Sequence, residues 1–77
     1  MYKIAIIGLG YIGLPLAIEF SKKYKVVAFD INLKRIKELQ NNYDITNEIS
    51  KEKLKKSQNI IFDYKQTILS DCNIYII

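Results

Sequence analysis

The segment that most restricts this chain is Ile4-Ala5-Ile6-Ile7-Gly8-Leu9-Gly10-Tyr11-Ile12-Gly13-Leu14-Pro15-Leu16-Ala17. An apolar run meets three glycines spaced Gly-x-Gly-x-x-Gly, and a periodic apolar segment follows. A second apolar run, Val26-Val27-Ala28-Phe29, ends in Asp30, 22 residues after Gly8. Short continuous apolar runs suit buried parallel strands, and the periodic stretch between them suits a helix. The order is therefore strand, glycine turn, helix, strand and acid, the opening of a βαβ unit built to hold a dinucleotide.

Each part has its own physical task. Gly8, without a Cβ, permits the tight turn after the strand. Gly10 leaves no side chain between the backbone and a pyrophosphate, and Gly13 lets the helix pack closely on the sheet. The helix start turns its unpaired N–H groups and the positive end of its dipole toward the phosphates. Pro15 is tolerated only in a first turn, which predicts a helix beginning near Gly10 or Tyr11. Asp30 can accept hydrogen bonds from ribose hydroxyls and repel a 2′-phosphate, favouring NAD over NADP. Lys34 and Arg35 act against that preference, because nearby cations offset a phosphate's charge. The competing reading makes the glycines purely structural and Asp30 a cap for a helix beginning near Leu33. It leaves the combined spacing of three glycines and an acid without a reason.

A chain of 77 residues forms at most one small domain, and one this size buries only about 60% of its unfolded surface. Its 49% hydrophobic and 26% charged residues suit a packed core with a solvated exterior. Apolar runs fall well short of the roughly 20 residues a membrane span needs. Met1-Tyr2-Lys3 leads straight into a strand, without a signal-peptide layout. With a single cysteine, the expectation is a cytoplasmic chain with no membrane contact. Without histidine, neither a zinc site nor a Cys-His nucleophile pair can be assembled from these residues, so no metal ligand and no catalytic residue is assigned. The net charge of +4 rests on scattered lysines, among them Lys22, Lys23, Lys25 and those between Lys51 and Lys56. Interleaved with glutamates and without an aromatic stripe, they predict a solvated surface and no nucleic-acid partner.

The pattern along the chain gives a first strand over Tyr2 to Ile7 and a helix to about Lys23, with Ile12, Leu16 and Phe20 on its packed face. A second helix is expected over Leu33 to Asn41, burying Leu33, Ile36 and Leu39, and stopped by Asn41-Asn42. Asp44 to Asn47 reads as a loop, and Ser50 as the N-cap of a short helix through Lys56, without the acidic partner of a full capping box. A third strand over Asn59 to Phe62, a helical turn over Lys65 to Ser70 and a fourth strand over Asn73 to Ile77 complete the list. The fold class is α/β: a Rossmann-like parallel sheet with flanking helices, incomplete at about four strands. The apolar end, Ile74-Tyr75-Ile76-Ile77, leads to the expectation that residues 1–77 are the N-terminal portion of an NAD-binding domain, a fragment of a larger enzyme left by truncation or an interrupted reading frame.

The residues from Ile6 to Ala17 resemble the opening of the UDP-glucose/GDP-mannose dehydrogenase family. Val27-Ala28-Phe29-Asp30-Ile31-Asn32, with Arg35-Ile36 and Leu39, is similar to that family's second strand and helix, and Ser70 to Ile77 to its fourth strand. The Gly-Tyr-Ile-Gly-Leu-Pro-Leu-Ala wording is closer to UDP-N-acetylhexosamine 6-dehydrogenases than to UDP-glucose enzymes. The resemblance implies an NAD-dependent four-electron oxidation of a UDP-sugar C6 alcohol to a uronic acid, for bacterial surface polysaccharides. It implies a larger homodimeric enzyme whose catalytic cysteine and UDP-sugar domain belong far downstream. It assigns Gly8, Gly10, Tyr11, Ile12 and Gly13 to the pyrophosphate, Asp30 to the ribose and Arg35 to the neighbourhood of the adenosine. Arg35 reads equally as a solvated helix cation. Cys72 does not match the family's nucleophile and reads as a small buried hydrophobe. The 77 residues alone are expected to be inactive.

Three other readings compete. The β-hydroxyacid and 6-phosphogluconate dehydrogenases share Gly-Leu-Gly but usually place methionine at Ile12 and lack Leu-Pro-Leu. A nucleotide-sensing regulatory domain of the potassium-transport type carries the same strand, loop, helix and acid, but suits Pro15 and Asn32 to Leu39 less well. A functionless remnant of a broken gene is the third.

Overall fold

In the computed structural model, which describes residues 2–77, four parallel strands form one sheet in the order β3-β2-β1-β4. The strands are β1 (Lys3–Ile7), β2 (Lys25–Phe29), β3 (Ile60–Asp63) and β4 (Ile74–Ile76). The helices are α1 (Gly13–Ser21), α2 (Leu33–Gln40) and α3 (Lys51–Lys56), and a 3-10 turn spans Gln66–Asp71. β1 is central and starts the ladder on both sides. Ala5 faces Val27 of β2 on one side and Tyr75 of β4 on the other.

Alternation along the strands divides the core. Ile4, Ile6, Val26 and Ala28 point to the face covered by the three helices, where they meet Leu14, Ala17, Ile18, Ile36, Leu39 and Leu54. Ala5 and Val27 point to the opposite face, against Cys72, Ile68 and Leu69. A strand buried on both faces has no polar positions to spare, which is why β1 and β2 read as unbroken apolar runs. Successive right-handed crossovers from β1 to β2 to β3 keep α1, α2 and α3 on one side. The return to β4 crosses to the other.

The helices obey local signals with two corrections. Asn32 caps α2 by accepting from the Arg35 N–H at 3.2 Å, and Ser50 caps α3 by accepting from the Lys53 N–H at 3.2 Å. Asn42 takes a left-handed backbone, φ 62°, just past α2, as an asparagine stop requires. α1, however, begins at Gly13 and not at Gly10 or Tyr11. The Leu14 N–H reaches back to the Gly10 carbonyl at 3.3 Å, but Pro15 has no N–H for the next carbonyl, so the first turn remains irregular. The packed face also differs from the expected one. Leu14, Ala17, Ile18 and Ser21 are buried, Leu16 and Phe20 are only partly covered, and Ile12 is 81% exposed. Along α2, Leu33 is 41% exposed, and the positions buried are Arg35, Ile36 and Leu39.

The remaining elements lie within a residue or two of expectation. Cys72 is buried against the second face, and burial pushes its thiol pKa up. Among the described residues no helix is long and apolar enough to cross a membrane.

Candidate functional site

The loop between β1 and α1 lies at the C-terminal ends of β1 and β2. Gly8 carries φ 97°, a region open to glycine and strained for other residues, and its N–H donates to the Phe29 carbonyl at 2.9 Å. That bond ties the loop to the end of β2. Gly13 is needed for contact: a Cβ there would collide with the Gly8 carbonyl oxygen. The start of α1 therefore rests directly on the turn. Gly10 differs, since a Cβ there would meet nothing within 4 Å. The space in front of it is open. Tyr11 and Ile12 extend into solvent, at 70% and 81% exposure, and the first N–H groups of α1 have no partner within the helix.

Asp30 closes this loop from the other strand. Its Oδ2 accepts from the Leu9 N–H at 2.9 Å, and its Oδ1 accepts from the Asn32 N–H at 2.9 Å. A carboxylate offers about four acceptor sites, so two backbone bonds leave capacity for hydroxyl donors. Asp30 is not the cap of α2. Asn32 fills that position.

Arg35 is the least anticipated member. The solvated-cation reading does not hold, because the side chain is 8% exposed. Its Nε donates to the Leu9 carbonyl at 2.8 Å and its Nη1 to Asp44 Oδ1 at 2.7 Å. The Leu9 residue is thus gripped on both sides, its N–H by Asp30 and its C=O by Arg35. Nη2 is buried with no partner among the described residues.

Asp44, which reads as a loop residue from sequence, is 4% exposed and sits at the centre of a cage. Its Oδ1 accepts from the Thr46 N–H at 3.0 Å and the Thr46 hydroxyl at 2.6 Å, as well as from Arg35. Its Oδ2 accepts from the N–H groups of Glu48 at 2.8 Å and Ile49 at 2.9 Å. Burial alone would raise the carboxyl pKa. The Thr46 hydroxyl, Arg35 and the backbone donors outweigh it and bring the value down to about 2. The local signal was the spacing Asp-x-Thr-x-Glu, which suits a chain wrapping around an aspartate side chain. Its pairing with Arg35, nine positions back, leaves no trace in the sequence.

The chemistry these groups offer is recognition. An open glycine approach, a helix N-terminus and a carboxylate at the rim fit a pyrophosphate with an attached ribose. Among the described residues there is no group of three or more His, Cys, Asp or Glu side chains able to hold a metal ion.

Comparison with known proteins agrees with this geometry. Residues 2–77 match the model of the UDP-glucose/GDP-mannose dehydrogenase family, NAD binding domain. UDP-N-acetyl-D-glucosamine 6-dehydrogenase of Salmonella typhi is 51% identical over 75 residues, covering 97% of this chain and 18% of that protein. The Pseudomonas aeruginosa enzyme of the same name is 47% identical over 75 residues, again 97% of this chain and 18% of that protein. Protein CapL of Staphylococcus aureus is 61% identical over 54 residues, 70% of this chain and 13% of that protein. The solved UDP-D-ManNAc dehydrogenase of Pyrococcus horikoshii superposes with a TM-score of 0.85 at 32% identity, over 95% of this chain and 19% of that one. The chain therefore spans less than a fifth of the length of the relatives it matches.

Proposed function

The chain belongs to the UDP-glucose/GDP-mannose dehydrogenase family, and from that membership we propose that residues 1–77 are the N-terminal portion of the NAD-binding domain of a larger UDP-sugar 6-dehydrogenase. The enzyme oxidises the C6 alcohol of a UDP-N-acetylhexosamine to a uronic acid for surface polysaccharide. The relatives named for UDP-N-acetyl-D-glucosamine, at 51% and 47% identity, support that sugar over UDP-glucose. It is a cytoplasmic homodimer whose sugar pocket and catalytic residues lie in other parts of the polypeptide.

NAD supplies the hydride acceptor for that oxidation. The work of this segment is to bind and orient. Gly10 leaves the approach to the pyrophosphate free, and the N–H groups of Tyr11, Ile12 and Gly13 face its oxygens at the positive end of α1. Gly8 and Gly13 keep the turn in the shape that makes this approach. Asp30 accepts from the adenosine ribose hydroxyls, and Arg35 serves the adenosine end through the Leu9 carbonyl it holds. The observation that carries this reading is the open space at Gly10 beside a turn closed by Asp30.

Titration calorimetry with NAD and NADP tests it on the full polypeptide carrying these residues. Wild type is expected to bind NAD and to prefer it to NADP. Asp30→Ala removes hydrogen bonds to a charged acceptor, each of about 1.5–3 kcal/mol, so NAD affinity should fall about tenfold to a hundredfold. Gly10→Val should abolish binding while leaving the circular dichroism spectrum intact. NAD affinity unaffected in both variants would refute the site.

A further inference from the structure

Resting on that reading, we propose that Asp44 is a positioning residue for cofactor selectivity: by engaging Arg35 it keeps the guanidinium on the glycine loop and denies it to a 2′-phosphate. The sequence sets a contradiction here. Asp30 is the acid that selects a free ribose, yet an arginine lies five positions later, and an arginine near the ribose is what accommodates a 2′-phosphate. The structure resolves it by bonding. The charge of Arg35 is matched by the Asp44 carboxylate at 2.7 Å, and its Nε is committed to the Leu9 carbonyl at 2.8 Å. Leu9 is also the residue whose N–H Asp30 holds, so the cation and the selecting acid grip opposite ends of the same residue.

The loop after α2 is built around this task. Five donors converge on Asp44: Arg35, the N–H and hydroxyl of Thr46, and the N–H groups of Glu48 and Ile49. To close the cage, Asn47 adopts φ 58° and donates its N–H to the Asp44 carbonyl at 3.0 Å. A carboxylate held by four donors besides Arg35 cannot swing away, so the arginine it pairs with is fixed too. The buried Nη2, which finds no partner, is donor capacity that an incoming phosphate would use if the guanidinium were released. Arg35 without Asp44 would be a buried cation next to the ribose site, free to turn toward an anion.

The test measures NAD and NADP affinities by calorimetry on the full polypeptide in wild type, Asp44→Asn, Arg35→Gln and the double variant. Asp44→Asn should narrow the NAD:NADP preference by about tenfold or more, the effect of one uncompensated charge beside the phosphate. The double variant, which also removes the cation, should restore the preference. Arg35→Gln alone leaves Asp44 with its four other donors and keeps the fold testable even if Asp44→Asn does not fold. It should weaken NAD and NADP by the same factor, leaving their ratio unchanged. An unchanged ratio in folded Asp44→Asn would overturn the proposal. So would a selective loss of NADP in Arg35→Gln, which would mean the guanidinium already serves the phosphate. Wild type that fails to bind NAD at all would instead refute the functional reading on which this rests.

Discussion

The two sides of β1 hold the chain together very differently. Toward β2, every residue from Val26 to Phe29 is buried, three helices cover one face, and the turn at Gly8 is tied across to Phe29. Toward β4, the same parallel ladder continues for three residues, none of them fully buried, and the 3-10 turn before it contains no buried residue. What fastens this side is a small set of contacts. Asn73 exchanges bonds with Lys3 at 2.8 Å and 3.0 Å, Tyr75 bonds Leu69, and Cys72 packs under Ala5 and Val27. Backbone pairing alone therefore does not make a strand secure. The candidate site is built on the side where packing fixes the ladder, and its loop inherits that rigidity.

The contrast breaks first if the well-packed side tolerates deletion. Ile6→Ala should cost about 4 kcal/mol through lost burial and the cavity it leaves. Equilibrium urea denaturation reads this directly, and a cost under about 1 kcal/mol would dissolve the distinction. Gly13→Ala comes next, at about 3 kcal/mol of overpacking against the Gly8 carbonyl, a backbone atom with little room to yield. Because alanine otherwise improves a helix over glycine by about 0.5–1 kcal/mol, a gain in stability would show that α1 does not rest on the turn.

Acid should act on the same side through Asp44. Its folded pKa of about 2 lies below the usual 3.8, so the unfolded chain binds more protons between those values. The stability it contributes is complete above about pH 4 and is lost as pH falls through about 2, a change of about 2–3 kcal/mol. Urea midpoints at stepped pH check this, and a flat profile across that window would mean the carboxylate is not held by its donors. On the β4 side the expected effects are smallest. Leu69→Ala should cost less than about 1 kcal/mol, and Tyr75→Phe about 0.5–1 kcal/mol for the bond to the Leu69 carbonyl. Losses there as large as at Ile6 would mean the two sides are equally fixed.

What the sequence revealed was whatever short-range rules decide. The glycine spacing, the apolar runs, the Ser50 cap and the Asn42 stop all depend on a few neighbouring residues, and each is found where expected, whereas the cap of α2 is Asn32 and not Asp30. The errors came from geometry at longer range. With Gly13 seated against the Gly8 carbonyl, α1 buries Leu14, Ala17, Ile18 and Ser21, and Ile12, which precedes the helix, is exposed. Hydrophobic pattern chose Leu33 for the core. Burial of Arg35 depends on Leu9 and Asp44, which are distant in sequence, so no local pattern recorded it. That the glycine turn and Asp30 lie together at the ends of β1 and β2 was legible. The strut behind them was not.

Holding the Leu9 residue from both sides has a thermodynamic consequence for association. Fixing a residue's backbone costs about 1–2 kcal/mol in conformational entropy, and in this loop folding has already met that cost. A ligand arriving at the glycine turn meets a surface that needs no ordering, so the entropy of binding should reflect the ligand and its water rather than the loop. Association is then governed by diffusion and the field at the α1 terminus, and affinity differences among loop variants should appear in the rate of departure.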